Sequence, residues 1–246
     1  MCEICRRDLS AHHVQPSRRG LFRLAGAAAA GMALTGSALA KEAKAPPKPQ
    51  NVVSPDASLE LLKKGNGRYV EGVSRRHDFK HEREALVGGQ NPYAGILSCA
   101  DSRIAPEYAF DSGRGDLFVC RVAGNFANAD TIASLEYAVS SLGTPLIVVL
   151  GHDSCGALDA TIKSLKDNTT LPGHLPSLVT SLTPAVTASA GRPGDALDNA
   201  VRQNVIDNVA KLKSATPMLS AAVEQGKLKV VGGIYKLADG RVEMIA

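Results

Sequence analysis

Charge of one sign is scarce in this 246-residue chain once its first 40 residues are set aside. Of 28 Lys/Arg and 24 Asp/Glu, those 40 hold five and two, which leaves 23 basic residues against 22 acidic ones. That balance offers no electrostatic footprint for DNA or RNA, so a nucleic-acid partner is not expected. The Ala/Gly-rich stretch Leu24–Leu39 is short of the ~20 residues of a spanning helix, and its low hydrophobicity weakens insertion further. No internal repeat is evident, and no histidine–serine–acid order suggests a hydrolase triad. Gly88-Gly89 and Gly232-Gly233 lack the context of a phosphate loop and read as turns. Cysteine is sparse: beyond residue 40 only Cys99, Cys120 and Cys155 remain, an odd number that suits metal ligands plus one buried thiol better than a disulfide framework. Tryptophan is absent altogether.

What is present is an apolar content of 44%, enough for one α/β domain with a sizeable core plus extra segments, and too little length for two catalytic domains. Two short runs carry the chemistry. Cys99-Ala100-Asp101-Ser102-Arg103 and His152-Asp153-Ser154-Cys155-Gly156 offer two thiolates and one imidazole beside a carboxylate and a guanidinium. A catalytic zinc site uses three protein ligands, Cys₂His among them, and keeps a fourth place for water; Cys99, His152 and Cys155 supply three. Each run follows an apolar stretch, Ala94–Ser98 and Pro145–Gly151, and both stretches read as buried parallel strands. Ligands at the carboxyl ends of adjacent strands can reach one ion although they stand about fifty residues apart.

The remaining pattern predicts a mostly parallel central sheet flanked by helices. Ser54-Pro55-Asp56 starts a helix with a capping residue and proline at its first position, and Leu59, Leu62, Tyr69, Val70 and Val73 give an interrupted apolar face. Strands are expected near 94–98, 116–122, 145–150 and 228–235, with a last short one over Arg241–Ile245 after the Asp239-Gly240 turn. Ile132, Leu135, Val139 and Leu142 keep helical spacing, as do Leu197, Val201, Val205, Val209 and Leu212. Cys120, inside the apolar Leu117–Val122 strand, reads as a small core residue. Ser102 and Ser154 read as turn and capping hydroxyls, and His77 and His81, among charged neighbours, as a solvated surface.

The CxDSR run, the HxxC run and, between them, Gly115–Val119, Arg121–Asn125 and Ser134–Val139 together resemble the β-class carbonic anhydrases over residues 55–246. The resemblance implies one zinc ion per subunit on Cys99, His152 and Cys155, and reversible hydration of carbon dioxide to bicarbonate through zinc-bound hydroxide. Two thiolates and a neutral imidazole leave the site with a net charge of about zero, so the ion acidifies water less than a three-histidine site and a neighbour must help. Read from the residues alone, Asp101 and Arg103 are equally a loop-fixing salt bridge or a dyad in which Asp101 accepts a hydrogen bond from the hydroxide while Arg103 holds the carboxylate. The resemblance selects the dyad.

One subgroup of that family closes its site with the aspartate and has a tryptophan three residues before the first ligand, where this chain has Ile96. The open-site, plant-type-like subgroup has a glutamine and a tyrosine that match Gln90 and Tyr137. Gln90 is therefore expected to donate to a substrate oxygen, with Phe118, Ala123 and Tyr137 lining the pocket. Gly156, also expected among the substrate-binding residues, either lets backbone approach the ion or opens a helix whose amides stabilise thiolate charge. Members of the family assemble, so a homodimer or homotetramer with the pocket near the subunit boundary is expected. Two other readings stand beside this one: a hydrolase of carbon disulfide or carbonyl sulfide with the same ion, and a non-catalytic zinc-binding or redox module.

The N-terminus reads as an address. Ser17-Arg18-Arg19-Gly20-Leu21-Phe22-Arg23, the mildly apolar stretch after it and Ala38-Leu39-Ala40 look like a Tat-type export signal over residues 1–40, with a soluble periplasmic product and the Tat machinery as a transient partner. An uncleaved membrane anchor is the alternative. Residues 41–53, with Pro46, Pro47 and Pro49, read as an extended arm before the domain at 54–246. Cys2, Cys5, His12 and His13 are chemically competent for a second metal but read as incidental leader sequence.

Overall fold

The computed structural model describes residues 53–246. The expected leader, its Cys2/Cys5/His12/His13 group and all but the last residue of the expected arm lie outside the described residues.

Helix α1 (Pro55–Val70) begins where the capping signal places it: Ser54 is extended and its Oγ accepts from the Ala57 amide at 3.2 Å. Leu62 is fully buried and Leu59 and Tyr69 pack against the core, but the helix ends at Val70, and Val73 beyond it is exposed rather than part of the apolar face. A short helix α2 (Phe79–Leu86) is capped by Asp78, and β1 (Ala94–Ser98) follows. His77 precedes that cap and is half-buried against Glu82, whereas His81 pairs with Asp78 at the surface, so only the second matches the solvated reading.

The chain continues through α3 (Pro106–Ala109), β2 (Leu117–Arg121), α4 (Ala129–Leu142), β3 (Leu146–His152), α5 (Gly156–Lys166), α6 (Leu175–Ser189), α7 (Ala196–Lys213), α8 (Met218–Glu224), β4 (Lys229–Tyr235) and β5 (Val242–Met244). The sheet runs β2-β1-β3-β4-β5, parallel except for the antiparallel β4–β5 pair. Every residue of β1 and β3 is buried, as expected of parallel strands covered on both faces.

The side chains sort the helices onto the two faces. Leu135 of α4 meets Gly95 and Val205 of α7 meets Gly151 on one side, while Leu62 and Phe110 gather near Val148 on the other. Gly232 and Gly233 are not a turn but the middle of β4. A Cβ at Gly232 would lie 2.5 Å from Val205 Cγ1, so glycine there permits close seating of α7 on the sheet. Buried Asn66 links α1 to its surroundings, donating to the Ala109 and Gly240 carbonyls and accepting from the Val242 amide, so its whole amide is satisfied. Cys120 is half-buried rather than core, because β2 is the sheet edge and none of its residues is fully covered. Among the described residues no helix is long and apolar enough to cross a membrane.

Candidate metal centre

Strands β1 and β3 are neighbours whose chain continuations diverge, β1 toward β2 and β3 toward β4, which makes the crevice beyond their carboxyl ends a switch point of the sheet. Cys99 is the residue after β1 and His152 the last of β3, so parallel pairing delivers both to this crevice. Ser154, at φ +52°, turns the chain back, and Cys155 stands at the start of α5. Ser154 is thus a turn residue and not a cap, for the capping position belongs to Cys155. The ligand atoms of Cys99, His152 and Cys155 lie within 4.8 Å of one another, and all three residues are buried.

The histidine is oriented for a metal. Nδ1 lies 2.7 Å from the Asp153 carbonyl, which can only accept, so Nδ1 carries the proton and Nε2 presents a lone pair. Nε2 is buried without a protein hydrogen-bond partner, a cost that a cation between it and the two sulfurs would remove. Asp153 is itself fixed, its amide donating to the Tyr235 carbonyl and its Oδ1 accepting from the Leu237 amide.

The sulfurs have the matching electrostatics. Contact with the Cys155 thiol draws Cys99 down to about 4, against burial and with help from His152 and the Gly124 and Asp101 amides. The same contact, and then burial, pushes Cys155 up, although the Ala157 and Leu158 amides at the start of α5 oppose this. The pair therefore holds one negative charge readily and a second only beside a counter-cation, which is what a divalent ion provides. For His152, burial disfavours the charged ring, but the Cys99 side chain overrides it and raises the affinity for a second proton in the position where an ion would sit. The donor set and its geometry fit zinc.

Asp101 and Arg103 form the ion pair that both readings of the run require. Arg103 donates from Nε to Oδ1 at 3.0 Å, from Nη2 to Oδ2 at 2.7 Å and from its amide to Oδ1 at 2.9 Å, and it also reaches the Ser154 carbonyl at 3.4 Å. The Arg103 guanidinium holds the Asp101 carboxyl well below the usual carboxylate range. Oδ2 of Asp101 stands 3.9 Å from His152 Nε2, so the carboxylate faces the ligand trio.

Arg121 has a part that the sequence reading did not assign. Its guanidinium donates to the carbonyls of Cys99 at 2.9 Å, Asp101 at 2.7 Å and Ile104 at 2.8 Å, fastening the whole ligand loop to the end of β2. The available signal was a charged residue closing an apolar strand.

The expected pocket residues are less concentrated. Phe118 on β2 and Tyr137 on α4 face each other with ring centroids 6.3 Å apart, and Tyr137 is 51% exposed. Ala123 is half-buried next to Gly124, and Gln90 is exposed on the loop between α2 and β1. Gly156 opens α5, and a Cβ there would meet no protein atom within 4 Å.

A family profile described as carbonic anhydrase matches residues 94–242. Carbonic anhydrase 2 of Mycobacterium tuberculosis is 39% identical over 189 residues, covering 76% of this chain and 91% of the relative. The carbonic anhydrase of Mycolicibacterium smegmatis is 39% identical over 192 residues, covering 78% and 93%. Among solved structures, the β-carbonic anhydrase CcaA superposes with a TM-score of 0.58 at 29% identity, covering 76% of this chain and 95% of the other. A β-carbonic anhydrase described with a second, both tetrameric, from the ascomycete Sordaria macrospora shares the fold at a TM-score of 0.62 and 23% identity, covering 78% and 98%. With the match spanning the sheet that builds the Cys–His–Cys centre, the chain belongs to the β-carbonic anhydrase family and is a carbonic anhydrase.

Proposed function

We propose that this carbonic anhydrase is zinc-dependent, with Cys99, His152 and Cys155 holding one ion per subunit, and that it interconverts carbon dioxide and bicarbonate with Asp101 and Arg103 as its working pair. The observation that supports this most strongly is the buried, unpartnered Nε2 of His152, facing two thiols that can share only one negative charge without a cation. When bound, zinc supplies the Lewis acidity that makes hydroxide available from water near neutral pH. Asp101, kept ionised by Arg103, accepts a hydrogen bond from that nucleophile and turns a lone pair toward the carbon of carbon dioxide. The new C–O bond gives bicarbonate, and the proton lost by water passes to solvent.

Both Asp101 oxygens are engaged by Arg103, which supports an open fourth position over one closed by the carboxylate. Gln90, Phe118, Ala123 and Tyr137 are assigned to the substrate pocket. Phe118 and Tyr137 lie at the uncovered β2 edge, where a second subunit would complete their enclosure, and this supports a homodimer or homotetramer as the active species. Residues 1–40 are assigned to Tat-type export with a periplasmic product, the twin arginine Arg18-Arg19 supporting this.

Metal analysis of the chain from residue 41 onward, combined with stopped-flow hydration of carbon dioxide, tests the proposal. It expects about one zinc per subunit and loss of turnover on chelation. Full turnover without stoichiometric metal would overturn the zinc assignment, and zinc-loaded protein that hydrolyses carbon disulfide but leaves carbon dioxide untouched would overturn the substrate. Cell fractionation with Arg18→Lys/Arg19→Lys checks the address: the variant is expected to stay in the cytoplasm, and unchanged export would refute it.

A further inference from the structure

A ladder of buried side-chain amides runs from α7 to one of the two sulfurs. Asn208 Oδ1 accepts from the Ala127 amide at 2.7 Å, and Asn208 Nδ2 donates to the Asn204 carbonyl and to Asn204 Oδ1 at 2.8 and 3.0 Å. With its Oδ1 taken, Asn204 points Nδ2 at the Gly124 carbonyl, 2.8 Å away. Gly124 in turn donates its amide to Cys99 Sγ at 3.3 Å. Asn204 and Asn208 are 2% and 6% exposed, so the ladder is buried.

The glycine sits third in a turn that the Asn125 amide closes on the Val122 carbonyl at 2.9 Å, and Asn204 adds a side-chain hold to the same peptide unit. Gly124 has φ +88°, a conformation that an unconstrained glycine leaves easily. Any side chain there would collide with Leu182, whose methyls lie 2.8 and 2.9 Å from a Cβ, so Gly124 is kept small. The side-chain amide of Asn204 is the group that holds its carbonyl. Burying two asparagines in the helix that packs on the sheet is costly unless each amide is used, and here both are engaged, Asn208 on Ala127 and Asn204, and Asn204 on the glycine that contacts Cys99.

We propose that Asn204 is a positioning residue for the metal centre: seated by Asn208, it holds Gly124 so that the Gly124 N–H is aimed at Cys99 Sγ and tunes that sulfur as a zinc ligand. This rests on the assignment of Cys99 as a ligand. An N–H···S bond withdraws electron density from a thiolate and fixes the lone pair left for the metal, and partners of this kind govern ligand orientation and metal retention. Nothing in the local sequence signals the role, because Asn204 and Asn208 stand 105 and 109 positions beyond Cys99 and read as polar interruptions of an amphipathic helix.

The test compares wild type, Asn204→Ala and Asn208→Ala as full-length assemblies loaded with zinc or cobalt(II). Zinc release to a chromophoric chelator is expected to be about tenfold faster in Asn204→Ala and changed in the same direction but less in Asn208→Ala. In the cobalt forms the thiolate-to-metal charge-transfer band should move to lower energy, because a sulfur relieved of its N–H donor gives up charge more easily. A purely structural asparagine would lower Tm without moving that band. Folded Asn204→Ala with wild-type zinc release and an unmoved band overturns the proposal. If Asn204→Ala does not fold, Asn208→Ala decides alone, an unmoved band and release rate again overturning it. Wild type that binds no zinc defeats the metal assignment instead, so the two failures are distinguishable.

Discussion

Replacing Asp101 with asparagine isolates the dyad from the metal. In the native site Asp101 takes three bonds from Arg103, and the substituted side chain can keep the two that fall on Oδ1. Its NH₂ group would replace Oδ2 and meet Arg103 Nη2 donor to donor, so the 2.7 Å bond is lost. A charge-assisted bond contributes about 1.5–3 kcal/mol. With the Arg103 side chain 54% exposed, water screens it and takes up the freed donors, so stability should fall by only about 1 kcal/mol. None of the three ligands is touched, and zinc should stay bound. Turnover has no such protection: the group facing the nucleophile becomes a donor where an acceptor is needed, and loss of such a partner lowers activity by about 10- to 100-fold. Stopped-flow hydration at matched zinc occupancy measures this. Because Asp101 is held far below the neutral range, it adds no ionisation of its own to the rate profile there, and the height of that profile should drop. Turnover within twofold of wild type at full zinc content would refute the dyad.

Cys155→Ser should lose zinc as well as activity, since a hydroxyl replaces a thiolate among three ligands; metal analysis of the folded variant that still shows stoichiometric zinc would contradict the ligand set. Asp111 gives a pH dependence. Burial disfavours its charge, but Arg68 at 2.5 Å and the Arg75 amide at 2.9 Å override this and lower its affinity for a proton. Its folded pKa is thus below the unfolded value near ~3.9, so its stabilisation is complete above that value and is lost as pH falls through the folded one. Urea melts below about pH 4 should show Asp111→Asn with a shallower loss of stability than wild type, and parallel curves would exclude the assignment. Sedimentation at micromolar concentration is expected to show a dimer or tetramer carrying the activity, while a fully active monomer would refute assembly as a requirement.

The parts of this molecule that were readable are those where one residue type answers one physical demand. An apolar β-branched run must be buried on both faces, so β3 and the ligand at its end could be placed. Ser54-Pro55 caps a helix for reasons confined to four residues. Legibility failed where a distant partner decides. Gly232-Gly233 resembles a turn until Val205 arrives from α7 to occupy the space above it. Cys120 sits in an apolar strand, yet the strand order that makes β2 an edge cannot be read locally. Leu175–Ser189 forms a helix although Pro184 interrupts it, because Leu182 and Ala185 are buried there. In the site, Cys99, His152 and Cys155 declared themselves by chemistry, whereas Arg121 acts through three carbonyls and showed in the sequence only as a charge at the end of an apolar strand.

X-ray absorption at the zinc edge of purified protein tests the central claim most directly. A centre built from Cys99, Cys155 and His152 predicts two sulfur scatterers at about 2.3 Å and one imidazole nitrogen at about 2.0–2.1 Å, with a fourth light scatterer at the open position. A zinc ion surrounded only by nitrogen and oxygen, or by four sulfurs, would contradict it.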